Sequence, residues 1–297
     1  MAFAYKNVAV SGSRSDTEGS SKTIQEIKSV MVNQMGWVVH DDRTTAAGNA
    51  HKLVLRSNGE GDDKPTFYMI MTSGINSSST AGSNGVTFQM SSYWDAASHT
   101  LGSGVATYSG LNATNNHFLV VQAENDNLLW ISGDKDAVHV ASNYWALNAT
   151  SHTLGTVSMG RCYNFLPVSQ EPYGLFVRST TGTAVLGAGA IQLVAGNNPM
   201  LDVLGITTNY TMAATNQPST FTDPGTFLFT PLLALIADVT PTRKGAVGLL
   251  PGVWDGMGSG VIGLQNFSTV TSSGTFGTRT YIAFIAGTTE SIIFRMS

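Results

Sequence analysis

Charge is what this chain has least of. Only 11% of its 297 residues are Asp, Glu, Lys or Arg, against about a quarter in an ordinary globular protein. The formal net charge of −4 leaves no basic excess, so neither a nucleic-acid footprint nor a polybasic membrane patch is expected. Cysteine is reduced to Cys162. That excludes an intramolecular disulfide and leaves a cysteine-based metal site short of ligands. A buried, inert thiol is the expectation. Long apolar runs are missing too. The longest, residues 227–239, contains Pro231 and is too short to span a bilayer. The opening Met-Ala-Phe-Ala-Tyr-Lys lacks the charged-then-apolar pattern of a secretory signal. A soluble chain made in a cytosol is therefore expected.

Glycine, 32 residues, and many Ser, Thr and Asn take the place of charge. Such a chain suits β-structure with many turns. It also suits surfaces covered in an assembly, where charge is costly to desolvate. The hydrophobic fraction, 42%, is enough for a core and rules out the apolar-poor composition of disorder.

One helix is legible. Ser20 or Ser21 can cap it, Ile24, Ile27, Met31 and Met35 share one face, and Gly36 is placed to stop it. That face is expected to pack on a sheet. The rest reads as strands at about ten-residue spacing, the pattern of a sandwich or barrel. The runs are Leu53–Arg56, Phe67–Met71, Val86–Met90, Phe118–Gln122, Leu128–Ser132, Ala137–Ala141, Val157–Phe165, Leu175–Val177, Ala190–Val194, Thr280–Ala286 and Ser291–Arg295. Residues 227–236 form a short apolar element, and residues 240–256 read as a Gly/Pro-punctuated loop. The expected fold is mainly β: a β-sandwich or barrel-like core, an internal duplicated β-unit and one N-terminal amphipathic helix. Residues 1–50 form the arm and helix, and residues 51–297 a single β-rich domain.

The duplication rests on a motif that occurs twice. Tyr93-Trp94 is followed by Ser98-His99-Thr100-Leu101-Gly102. Tyr144-Trp145 is followed by Ser151-His152-Thr153-Leu154-Gly155, with two extra residues between the halves. Upstream, His51-Lys-Leu-Val echoes His117-Phe-Leu-Val. Units 51–102 and 117–155 therefore read as two copies, each ending in a corner.

No residue set points to catalysis, a cofactor or a metal. Gly258-Ser-Gly260-Val-Ile-Gly263 fits a dinucleotide fingerprint by spelling alone, since no helix-forming sequence follows it. Histidines 40, 51, 99, 117, 139 and 152 show no His-x-His or His-x-x-x-His pair, and structural roles are expected for them. The acidic turns at Glu60–Asp63, Glu124–Asp126 and Asp134–Asp136 are too poor in carboxylates for calcium and read as solvated hairpin turns. The Tyr-Trp pairs are expected in the core. Exposed Trp94, Trp145 or Trp254 would instead suit a partner or a glycan.

Three stretches resemble the structural proteins of tailed-bacteriophage virions, above all tail or baseplate components. Met35-Gly-Trp37 leads to His40-Asp-Asp and the hairpin from Ser57 to Tyr68. Asp134-Lys-Asp136 turns into Ala-Val-His-Val. Gly248-Leu-Leu-Pro-Gly-Val-Trp254 precedes a final strand from Gly277 to Tyr281. The resemblance implies a non-enzymatic virion protein, made in the host cytoplasm, whose partners are other tail, baseplate or neck proteins and copies of itself. Charge and the short apolar runs add the expectation of no nucleic-acid partner and no membrane span. A receptor- or carbohydrate-binding module of the same particle is the alternative, and a polysaccharide hydrolase ranks third.

Overall fold

The computed structural model describes residues 4–10, 18–43, 52–57, 67–75, 84–91, 94–100, 107–109, 118–120, 127–147, 151–161, 163–164, 173–179, 190–194, 228–237, 244–257, 267, 269–272, 278–286 and 290–297. Strand β1 (Ala4–Val10) is followed by helix α1 (Glu18–Met35), then β2 (Val38–Asp42), β3 (Lys52–Arg56), β4 (Tyr68–Ile75) and β5 (Asn84–Ser91). Next come β6 (Thr107–Ser109), β7 (Phe118–Val120), β8 (Asn127–Gly133), β9 (Ala137–Leu147), β10 (Ser151–Arg161) and β11 (Tyr163–Asn164). The chain continues with β12 (Tyr173–Ser179), β13 (Ala190–Val194), β14 (Leu228–Ala237) and β15 (Lys244–Met257). It closes with β16 (Thr269–Ser272), β17 (Arg279–Ala286) and β18 (Glu290–Arg295).

These strands form two antiparallel sheets of twelve and six strands. The larger runs β13-β12-β10-β9-β7-β5-β4-β3-β2, and the smaller runs β11-β15-β18-β17-β16 with β14 on β15. Neither path returns to its start, so the barrel expectation gives way to open sheets. The larger sheet forks at β9, which at eleven residues is long enough to hold two partners end to end along one side. Val138–Ser142 pair with β8, and Trp145 and Ala146 pair with β7. Strand β8 in turn carries β1.

Helix α1 packs on the larger sheet through the face expected from its periodicity. Ile24, Ile27, Val30 and Met31 are fully buried, while Lys22, Gln25 and Asn33 point to solvent. Each such aliphatic contributes about 1.5–3 kcal/mol on leaving water. Their partners come from both arms of the fork: Leu53, Leu55, Met69, Met71, Val86 and Phe88 on one, Leu129 and Ile131 on the other. Gly36 ends the helix at φ +78°, and the Trp37 N–H reaches back to the Met31 carbonyl at 3.0 Å. A left-handed residue followed by such a bond satisfies carbonyls that the last turn leaves free.

The alternate residues of β8–β10 face the smaller sheet. Trp130 stacks on Phe267 at 4.6 Å and meets Phe284 edge-on at 5.5 Å. The Ser132 hydroxyl donates to the Arg295 carbonyl, and His139 Nε2 lies 2.7 Å from the Pro251 carbonyl. Helix, forked sheet and smaller sheet are thus stacked as three layers.

Residues 244–257 correct the loop expected there: they form a fourteen-residue strand. Proline fits because it sits where the ladder changes partners. Gly248 and Leu249 pair with β11, while Val253–Met257 pair with β18, so the missing N–H costs no ladder bond.

The two units carrying the repeated motif lie side by side in one sheet, joined where β5 pairs with β7. Their pairings differ. In the first, β3, β4 and β5 pair in succession. In the second, β7 and β8 both pair with β9.

Candidate functional site

The first copy of the motif builds a compact polar corner. Asp95 and Thr100 form an isolated antiparallel bridge, with backbone bonds of 2.9 and 3.2 Å. Inside it, Asp95 Oδ1 accepts the N–H groups of Ala97 and Ser98 at 2.9 and 3.4 Å. The Ser98 hydroxyl donates to Asp95 Oδ2 at 2.7 Å and lies 2.8 Å from the Thr100 hydroxyl. These bonds hold the Asp95 carboxyl below its ordinary range, the Ser98 hydroxyl first among them. This is the short-range side-chain bonding that suits Asp and Ser to turns.

The corner is pinned to β2 by one carboxylate. Asp41 Oδ2 accepts the Trp94 indole N–H at 2.9 Å and meets His99 Nδ1 at 2.8 Å. A carboxylate can only accept, so Nδ1 carries the proton. His99 takes φ +56°, a left-handed conformation rare for a side-chain-bearing residue. Asp41 reaches this place because His40 is the extra residue of a bulge between Val39 and Asp41. His40 Nε2 approaches the Trp94 carbonyl at 3.3 Å and its ring packs on Tyr68 at 4.7 Å. Lys52 Nζ lies 5.1 Å from the Trp94 ring. An Asp-oriented imidazole is the geometry of a general base. Here the hydroxyl of the adjacent Ser98 bonds to Asp95 and Thr100 instead.

The second copy also doubles back, in another register. Trp145 stands opposite Thr153 and Ala146 opposite His152 within the long β9–β10 hairpin. In the first copy it is Asp95, the residue after Trp94, that faces the threonine.

A second polar centre overturns the solvated turn expected at 134–136. Asp134 is 2% exposed and Asp136 fully buried. Asp134 Oδ1 accepts the N–H groups of Asp136 and Ala137 at 2.8 and 3.0 Å, and its carbonyl accepts the Trp37 indole N–H at 2.8 Å. Arg161, 1% exposed, sets Nε 3.5 Å from Asp136 Oδ1 and its guanidinium 5.4 Å from the Phe67 ring. Lys135 Nζ lies 3.5 Å from Asp136 Oδ2. Burial pushes the Asp134 carboxyl up, against the pull of its two backbone bonds. Both cations face Asp136 while Asp134 is held by backbone N–H groups, so the cluster is a tie between chain segments rather than a cation cage.

Of the other residues singled out from sequence, Trp254 is half-buried against Tyr281 at 5.2 Å. Tyr93, His51, His117, Cys162, the turns at Glu60–Asp63 and Glu124–Asp126 and the glycine run at 258–263 lie outside the described residues, as do the side chains of Tyr144, Trp145 and His152. Among the described residues no three His, Cys, Asp or Glu gather to hold a metal ion, and no helix is long and apolar enough to cross a membrane. Sequence reasoning missed Asp41 and Arg161. The adjacency of Asp41 to a bulge and the lone arginine ending β10 are the only local signals either leaves. No protein-family model matches the chain, and no curated protein or solved structure was found similar to it.

Proposed function

We propose that this chain is a structural component of a tailed-phage virion, of the tail or baseplate, made in the host cytoplasm and working through multivalent contacts with copies of itself and other virion proteins. One observation carries the reading: two terminal strands of the open sheets lack edge protection in their own residues. Natural sheet edges are blunted by charge, proline or a bulge, because a bare edge templates another strand. Strand β2 has such protection, in the His40 bulge and in Asp41 and Asp42. Strand β16 reads Thr-Val-Thr-Ser and β13 Ala-Ile-Gln-Leu-Val, without charge, proline or bulge. Among the described residues nothing pairs with their far sides. Low overall charge supports the same reading, since an edge that joins another copy must shed its water. The two side-by-side units are read as copies of one β-unit that widened the sheet.

The glycan-binding alternative loses one platform, because Trp94 is 3% exposed with its N–H bonded inside. The test is assembly. Purified chain should run as an oligomer in gel filtration and form rings, tubes or tail-like particles in negative-stain electron microscopy. Thr271→Lys, which places a charge on the exposed edge strand, should leave the circular dichroism spectrum intact and reduce the oligomer. A wild-type chain that stays monomeric, alone and with tail proteins present, would overturn the proposal.

A further inference from the structure

The layer between the two sheets is lined by aromatic rings, alanines and hydroxyls and holds one fully buried titratable side chain among the described residues. His139 is fully buried there. In register it stands between Ser132 on β8 and Ser158 on β10. Its ring lies 5.3 Å from that of Phe294 on β18, and its Nε2 is 2.7 Å from the Pro251 carbonyl on β15. A carbonyl only accepts, so Nε2 carries the proton of the neutral ring. Nδ1 is then an unprotonated nitrogen, and among the described residues it has no hydrogen-bond partner.

A second proton would have nowhere to go. In register His139 stands opposite Ser132 on β8 and Ser158 on β10; its same-face neighbours on β9 are Ala137 and Ala141, and Trp130 and Thr156 stand opposite Ala141. None carries charge. The described charged groups of the adjoining elements are engaged elsewhere. Asp136 faces Arg161 and Lys135, Asp134 holds backbone N–H groups, and Arg295 Nε donates to the Ser297 carbonyl at 2.6 Å. The same layer loses its hydrogen bonds together if the sheets part, because Ser132 donates to the Arg295 carbonyl beside it.

We propose that His139 is an acid-sensitive latch between the sheets: protonation at Nδ1 releases β15–β18 from β8–β10 while α1 and the forked sheet stay folded. Burial pulls the imidazole down from 6.5 to about 3 in the closed state, whereas a released, hydrated ring returns to its ordinary value. The closed state therefore loses ground as pH falls from 6.5 towards about 3, by up to about tenfold in the opening equilibrium per pH unit. Asp134 works in the opposite direction, since its raised pKa favours the folded state in acid.

Hydrogen exchange on the full chain between pH 6 and 4.5, corrected for intrinsic rates, tests this (; the window lies above the ordinary carboxylate range). Amides of β15 and β18 should lose protection by about tenfold or more across the window while those of α1 keep theirs. In His139→Gln, whose amide can still donate to Pro251 but cannot titrate, the loss should vanish. Equal loss in wild type and His139→Gln would overturn the latch. So would loss of protection in α1 at the same pH as in β18, a result the wild-type chain gives even if the variant fails to fold.

Discussion

Trp37 donates its indole N–H to the carbonyl of Asp134 at 2.8 Å, across 97 residues of sequence. The bond ties the residue just past α1 to the buried turn between β8 and β9, and the Trp37 ring meets Phe67 edge-on at 5.5 Å. Trp37→Phe keeps an aromatic body and leaves the buried carbonyl unpaired, a loss of about 1–3 kcal/mol. Trp37→Ala also removes the ring and should cost roughly 3–5 kcal/mol. Urea unfolding of both variants separates the two contributions; a Phe variant as stable as wild type would show that the hydrogen bond contributes nothing.

Asp41→Ala should free the corner that follows β5. It leaves the Trp94 N–H buried and unpaired and removes the partner of His99. Hydrogen bonds to a charged acceptor are worth about 1.5–3 kcal/mol each, and the lower figure is expected because His99 is exposed. Amide exchange at residues 95–100 should quicken more than in α1. Asp41→Asn, which still offers an acceptor oxygen, should recover part of the loss in thermal unfolding.

Two glycine-to-alanine changes should differ in size and cause. At Gly160 a Cβ would stand 2.5 Å from the Ala137 Cα and Cβ and 2.6 Å from the Asp136 carbonyl oxygen. Backbone must shift there, at a cost of about 1–3 kcal/mol or more. At Gly36 nothing lies within 4 Å, and only the φ of +78° opposes a side chain, a cost of about 1–2 kcal/mol. Gly36→Asn should be milder than Gly36→Ala, because asparagine tolerates the left-handed region, whereas no substitution rescues position 160. Chemical denaturation midpoints of the three variants give the ranking.

Asp134→Asn should shift stability in a pH-dependent way. Burial raises the folded-state pKa above its ordinary 3.8. The unfolded chain therefore ionises first as pH rises, and this group's contribution is full below 3.8 and lost as pH climbs through the folded value. An asparagine still accepts the N–H groups of Asp136 and Ala137 and carries no charge to desolvate. The variant should gain on wild type at pH 7 relative to pH 4, read as urea midpoints at the two values. A wild-type advantage that grows towards pH 7 would contradict the assignment.

The α1 face was legible because Ile24, Ile27, Met31 and Met35 repeat with the helix period, and one buried face imposes that spacing. Most strands were legible within a few residues for the analogous reason, alternation and β-branched content. Residues 134–136 were not. Gly-Asp-Lys-Asp spells a tight turn whether it faces water or Arg161, and the arginine that decides the matter is 25 residues downstream of Asp136. Residues 244–257 failed for a related reason: glycine and proline usually end strands, but Pro251 sits where no ladder bond is asked of it. The polar corner was half legible. Ser98, His99 and Thr100 announced a turn, whereas Asp41, which fixes it, is 53 residues before Trp94 and became available only through the bulge at His40.

The pairing of β1 with β8 joins Ala4 to Gly133 and Val10 to Asn127. On a ribosome adding roughly 5–20 residues per second, β1 emerges on the order of ten seconds before its mate. Helix α1 and strands β2–β5 are synthesised within that interval, so one arm of the fork can begin to assemble around the helix while the other is still missing its middle strand. Strand β1 thus meets its partner only after β2–β7 have been made, and its wait is set by the order of synthesis rather than by the strength of its seven paired residues.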